Sequence, residues 1–286
     1  MALIWGVNFP VIKVSLGELS PLAFNALRFS LASLTVLGIV SAKGWVPWPD
    51  RPDWARVFLL GILGNLVYQG FFIFGIDATF AGNAAILLAT IPLWTIILST
   101  LLGHERPSPM VWTGILVALF GMILVVLGGE EGVNLASESF RGDLLIVGAA
   151  LTWSLYTVGS RSLLEKYGSL PVTAWTLWIG SGGLILLGIP SLLQTPILST
   201  SAPAWIGVGY AGIFAIGLAY LLWYRGVQRI GSSRTAVYQN LTPVIALVVA
   251  WIWLGETPLP LQLAGAVAVL VGLALARMGG EKNEPS

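Results

Sequence analysis

The 286-residue sequence contains no cysteine. That excludes a disulfide framework, thiolate metal ligation and thiol catalysis, without identifying a compartment. Histidine is almost as scarce: His104, placed in a loop, is the only one and a poor basis for a proton relay or a metal site. Charged residues make up 9% of the chain, against about 25% in soluble domains. A net charge of +1 leaves no basic surface for nucleic acid. No pairing of acids, histidine cluster or activated nucleophile gathers near one interface, so the chain is expected to be neither an enzyme nor dependent on a cofactor or metal.

What is present is apolar sequence along the whole length: 56% of residues are hydrophobic and the mean hydropathy is +0.87. A water-soluble fold cannot hide that much apolar surface, so the chain reads as one continuous membrane domain. A hydrocarbon core about 30 Å thick needs about 20 apolar residues per helix, and charges, Pro and Gly mark the breaks. Ten segments result: 2–16, 21–41, 54–76, 80–103, 109–128, 142–164, 171–193, 203–226, 232–254 and 258–277. The first is short, so either it is partly interfacial or residues upstream of Met1 complete it; it lacks the basic start and small-residue cleavage site of a signal peptide.

With the N-terminus in the cytoplasm, Lys43, Arg51, Arg56, Arg106, Arg161, Lys166, Arg225, Arg229, Arg234, Arg277 and Lys282 all fall on the inner side. Arg141 alone lies clearly outside, and the outer connections carry Glu18, Asp77, Glu130, Glu131, Glu138, Asp143 and Glu256. This Lys/Arg bias places both termini inside. Trp45, Trp48, Trp54, Trp205 and Trp251 suit interfacial anchors.

Residues 82–122 align with 233–273 at a constant offset of 151, and the matches are punctuation rather than bulk apolar residues. Pro92 pairs with Pro243, Glu105 with Glu256, Pro109 with Pro260, Gly114 with Gly265 and Gly121 with Gly272. Trp5 and Lys13 match Trp153 and Arg161 at an offset of 148. An odd number of helices in each unit inverts the second unit in the membrane. The expected fold is therefore an all-α polytopic membrane protein, ten transmembrane helices arranged as two inverted five-helix repeats. The repeats are residues 1–128 and 142–277, joined by an outer loop at 129–141, with a cytoplasmic tail at 278–286. Inverted repeats recur in secondary transporters with a site near the midplane; duplication for stability alone is the other reading.

The stretch Trp5-Gly6-Val7-Asn8-Phe9-Pro10 with Lys13, the Ser20-Pro21 and Leu27-Arg28-Phe29 pattern, and Leu241-Thr242-Pro243-Val244 leading to Leu254-Gly255-Glu256 resemble the EamA type of the drug/metabolite transporter superfamily. The resemblance spans nearly the whole chain. It implies a ten-helix carrier with a central cavity, whose relatives export amino acids and other metabolites. The sequence departs from the pattern in its short first helix and in Trp178, which stands where Arg28 would align.

Ionisable residues inside a membrane usually face protein or water. Arg28 and Lys13 either attract a carboxylate or phosphate, or pair with Glu18 or Asp77, or snorkel to the interface. Arg161 takes the Lys13 position in the second repeat, which makes Lys13 and Arg161 candidate gate charges. Polar and aromatic residues concentrate mid-span as candidate substrate contacts: Trp5, Asn8, Asn65, Tyr68, Gln69, Trp153, Tyr156, Tyr220, Tyr238, Gln239 and Asn240, together with Arg28. Helix-to-helix hydrogen bonds account for such amides equally well one by one; their concentration in helices 1, 3, 6, 8 and 9 favours a solute site. Pro10, Pro92 and Pro243 are expected kinks and candidate hinges. Glu105 and Glu256 each precede a Ser-Pro or Thr-Pro helix start and read as helix-start electrostatics. Gly114, Ala118 and Gly121 with Gly265 and Gly272 read as internal packing stripes.

No carboxylate lies at the centre of any span, whereas a proton-coupled pump for cationic drugs is expected to hold one. The resulting expectation is a secondary transporter that exports or exchanges small metabolites by alternating access, amino acids including aromatic ones first. The alternatives are an anion or phosphorylated-metabolite exchanger using Lys13, Arg28 and Arg161, and a membrane scaffold. The expected partners are a small-molecule substrate and the lipid bilayer, the expected state a monomer or homodimer, and the expected location the bacterial inner membrane.

Overall fold

The computed structural model describes residues 1–103, 107–128, 137–196, 199–219, 222 and 241–281, with backbone alone for residues 280 and 281. The described residues are helical and contain no strand. In chain order the helices are α1 (Ala2–Leu16), α2 (Pro21–Ala42), α3 (Arg51–Ala78), α4 (Ala81–Leu101), α5 (Pro109–Leu127), α6 (Glu138–Tyr167), α7 (Ser169–Gln194), α8 (Ala202–Leu218), α9 (Leu241–Leu254) and α10 (Pro260–Glu281). Seven of them, α2 to α7 and α10, are long and apolar enough to cross a membrane, while α1, α8 and α9 are shorter apolar helices. Leu116 and Phe120 on α5 and Leu186 and Leu193 on α7 are among the large apolar side chains left exposed, the surface that lipid covers.

Serine followed by proline starts two of the helices. Ser20 accepts from the Ala23 N–H at 3.4 Å ahead of α2, and Ser108 accepts from the Val111 N–H at 3.4 Å ahead of α5. Each hydroxyl satisfies one backbone donor that the first turn leaves over, and the proline fits there because it has no N–H to lose. Ser137 does the same for α6 through Phe140 at 3.2 Å, so that helix starts at Glu138, inside the stretch expected to be a loop. Thr257-Pro258 does not start α10, which begins at Pro260, where Gln262 Oε1 accepts from the Leu259 N–H at 2.8 Å.

Two irregularities position the central site. α3 and α8 widen into π-type turns over Ile62–Val67 and Tyr210–Leu218, and the second stretch contains the offset-151 images of the first. Such turns displace the side-chain register by one position and often accompany functional sites. α4 breaks at Ala89–Thr90, just before Pro92. Pro10 lies within continuous helix in α1, and so does Pro190 in α7.

The main apolar core gathers Phe9, Ile12, Phe24, Phe72, Ile76, Leu87 and Ile115. A second cluster joins α2 to α7 through Phe29, Val36, Leu177 and Leu184. α5 and α10 press backbone to backbone: a Cβ on Gly114 would stand 2.5 Å from the Gly272 carbonyl oxygen, and one on Gly272 equally close to the Gly114 oxygen. Only glycine permits that approach, and in lipid, where apolar burial gives no advantage, such contact is what holds helices together.

Candidate functional site

Seven helices, α1, α2, α3, α4, α6, α8 and α9, enclose a cavity of about 150 Å³, room for on the order of ten waters. Among the described residues, Trp5, Phe9, Tyr68, Phe72 and Trp153 give it an aromatic wall, and Asn8, Arg28, Gln69 and Thr242 add polar side chains. Pro92 and Pro243, related by the repeat, both line it.

Four of these rings form a chain of contacts. Tyr68 and Trp153 approach to 4.8 Å between centroids, Tyr68 stacks on Phe72 at 5.9 Å, and Phe72 meets Phe9 edge-on at 6.0 Å. Spacings of four residues put Tyr68 and Phe72 on one face of α3. Trp5 donates its indole N–H to the Ala215 carbonyl at 2.8 Å, and Tyr210 donates its hydroxyl to the Ile4 carbonyl at 3.0 Å, so α1 of the first half is tied to the π-type turns of α8 in the second.

Arg28 is 1% exposed. Its Nε donates to Asn25 Oδ1 at 2.8 Å and its Nη2 to Gln69 Oε1 at 2.5 Å, while Asn25 Nδ2 donates to the Gln69 carbonyl at 3.3 Å. The guanidinium also lies 5.2–5.5 Å from the ring centroids of Phe24, Phe29 and Phe72. Charge-assisted bonds and aromatic faces together make a buried cation tolerable, and the Asn25 and Gln69 acceptors are neutral amides.

Two polar atoms of the wall stand apart. Asn8 Oδ1 and Thr242 Oγ1 are buried and have no hydrogen-bond partner among the described residues. An unmatched buried polar atom costs about 1–3 kcal/mol, a penalty that a bound donor removes.

Of the residues expected to contact substrate, Trp5, Asn8, Arg28, Tyr68, Gln69 and Trp153 line this cavity. Asn65 and Tyr156 are outside its wall. Asn65 packs into the notch at Gly180, where a Cβ would stand 2.2 Å from its own Cβ, and Tyr156 covers Gly64 while its hydroxyl meets Thr176 Oγ1 at 3.1 Å. Both follow from the π-type turns of α3, which swing Asn65 off the face of Tyr68 and Gln69 toward α7. Tyr220, Tyr238, Gln239 and Asn240 fall outside the described residues.

The gate charges find other partners. Lys13 Nζ donates to the carbonyls of Ile76, Asp77 and Thr79 at 3.0, 2.6 and 2.7 Å, closing the C-terminus of α3. A cation is favoured there because the last carbonyls of a helix lack intrahelical donors. Arg161 forms an exposed pair with Glu165 at 3.1 Å, one turn along α6. Neither reaches the cavity. Glu256 serves a helix start, but of another helix: Phe80 cannot cap α4, and the Glu256 carboxylate accepts from Ala81 and Gly82 N–H at 2.9 and 3.1 Å. Asp143, expected in an outer connection, is 1% exposed and accepts from Thr79 Oγ1 at 2.5 Å.

Sequence reasoning passed over Phe9, Phe72 and Thr242 as wall residues and Asn25 as the support of Arg28. Thr242 carried a signal, since it adjoins Pro243 in the quoted motif; Asn25 sits three residues before Arg28 on one helix face. Phe9 carried the same kind of signal beside Pro10, whereas Phe72 carried none, because apolar aromatics are common at every helix interface.

The profile of the EamA-like transporter family matches residues 1–127 and again 140–278. The chain belongs to this family. A relative named uncharacterized transporter YdfC, of Bacillus subtilis (strain 168), is 28% identical over 94% of this chain and 86% of its own length. A probable terminal-alkyne amino-acid exporter of Streptantibioticus cattleyicolor is 27% identical over 99% of this chain and 93% of its own. A solved crystal structure with 22% identity superposes with a TM-score of 0.71 over 99% of this chain and 96% of that one, a likeness of fold. This EamA-like transporter thus has relatives named for transport rather than catalysis.

Proposed function

We propose that this EamA-like transporter is a secondary transporter that exports or exchanges small metabolites by alternating access, with amino acids, aromatic ones included, as substrates. One observation carries the reading: a central cavity walled by both halves of the chain, with stacked aromatics along one side and a buried cation at its edge. Aromatic walls with a few polar groups suit a flat or amphipathic solute. The exporter named for an amino acid in Streptantibioticus points the same way. In this reading ten helices form two inverted repeats in a bacterial inner membrane with both termini cytoplasmic, and the unit acts as a monomer or homodimer. The purified protein in proteoliposomes should accumulate labelled aromatic amino acids by counterflow; no flux across the amino-acid panel would end the reading. The absence of native cysteine makes topology directly measurable. A single Cys at Lys43 should react with an impermeant maleimide only from the cytoplasmic side.

Arg28 favours a second reading, exchange of anionic or phosphorylated metabolites, because a buried guanidinium at the wall suits an anion. Arg28→Gln should then abolish anion flux and spare neutral solutes; unaltered anion flux removes this alternative.

A further inference from the structure

We infer that the cavity binds the ammonium group of its solute between Asn8 on α1 and Thr242 on α9. The inference rests on the reading of this cavity as the solute site and adds the chemistry of one pole. Each residue is 8% exposed and lines the cavity, and each presents an oxygen with no partner among the described residues. The two oxygens come from opposite halves of the chain. A carboxamide oxygen only accepts, and a hydroxyl accepts as well as donates, so a group with several N–H donors satisfies both at once. Pro92 adds to the acceptor excess: it offers no N–H to the carbonyl of Leu88, one turn earlier and also in the wall. A carboxylate or phosphate can accept from the Thr242 hydroxyl but has no donor for the Asn8 oxygen. An ammonium has three, and the indole faces of Trp5 and Trp153 in the same wall favour a cation.

Arg28 supplies the opposite character elsewhere on the cavity surface. A solute that presents a donor-rich cation to Asn8 and Thr242 and an anion to Arg28 is a zwitterion, and a cavity of about 150 Å³ confines both poles to one small molecule. The class is therefore the free amino acid with its amino group unmodified, as distinct from N-acylated derivatives, 2-oxo acids or phosphate esters.

The test compares binding of each proteinogenic amino acid with binding of its deaminated analogue, L-phenylalanine against 3-phenylpropionate being one pair, to the intact purified protein. The tightest-binding amino acid should exceed its analogue by about ten-fold or more, the effect of a charge-assisted hydrogen bond. Thr242→Val and Asn8→Leu should each remove most of that ratio. Ligand-free Thr242→Val should melt no lower than the parent, since it loses a hydroxyl that bonds nothing in the empty cavity; a lower melting point would assign Thr242 a structural bond and overturn the inference, as would amino acid and analogue binding equally. In both cases the transport reading survives. If no amino acid binds at all, the reading of the cavity fails and the inference with it.

Discussion

Arg28 and Gln69 join α2 to α3 through a 2.5 Å bond from Nη2 to Oε1 at the edge of the central cavity. With Asn25 as the second acceptor, the planar guanidinium spans two helices in two fixed directions.

Gln69→Leu should therefore lower stability by about 1.5–3 kcal/mol, the range for a buried hydrogen bond to a charged group. Arg28→Lys should be nearly as damaging, because one ammonium cannot serve the Asn25 and Gln69 oxygens with a fork geometry. Thermal unfolding of the single and double variants checks this. The double variant Arg28→Met/Gln69→Leu should cost less than the sum of the singles, and strict additivity would mean that the two side chains do not interact.

Lys13 makes a different prediction from that of a gate charge. With three carbonyls of the α3 terminus as partners, Lys13→Met should destabilise the fold by about 0.3–2 kcal/mol, the range for a cation at a helix C-terminus. Solute affinity should be unchanged. Binding isotherms on a variant that still folds separate the two roles: a lost or altered solute preference would return Lys13 to the transport path.

Glu256 lets the second half of the chain complete a helix of the first. Glu256→Gln keeps one acceptor but loses the charge at the start of α4, whose first turn has no cap of its own. A loss of about 1 kcal/mol is expected, measurable as an earlier melting transition. Hydrogen exchange should rise at Ala81 and Gly82 and remain unaltered in α7.

These residues show where the sequence was legible. The long apolar helices and six of the cavity-lining residues are legible in apolar run length and mid-span polarity, and the family in its short motifs, all of which are local properties. Partner choice was not. Lys13 sits in sequence where a gate charge would sit, yet the decisive neighbour is the end of α3, more than sixty residues away, and no local pattern encodes that meeting. Regular helical spacing puts Asn65 on one face with Tyr68 and Gln69, and the π-type turns at Ile62–Val67 break that spacing. Asp143 looked like a loop acid because it follows Arg141 and Gly142; its burial comes from the close approach of Gly142 to the backbone at Ala78 and Thr79.

The last prediction concerns pH and the contacts at the two ends of the bundle. Glu18, in the turn between α1 and α2, accepts from the Ser201 N–H at 2.7 Å and from the Ser201 hydroxyl. Those bonds favour the ionised carboxylate and hold its pKa below the ordinary 4.5. Lys166 and Asp50 meet at 2.7 Å, and they are the images of Glu18 and Ser201 at the same repeat offsets of 148 and 151. There the Lys166 ammonium likewise holds Asp50 below its ordinary value. A carboxylate whose folded-state pKa is depressed stabilises the fold above its unfolded value and loses that contribution as the pH drops through the folded one. Acidification below 4.5 should therefore weaken the Glu18 contact. Glu18→Gln cannot titrate, so its melting temperature should lie below that of the parent near neutrality and converge on it in acid. A constant gap between the two melting curves across that range would show that Glu18 is not held by Ser201 in the folded protein.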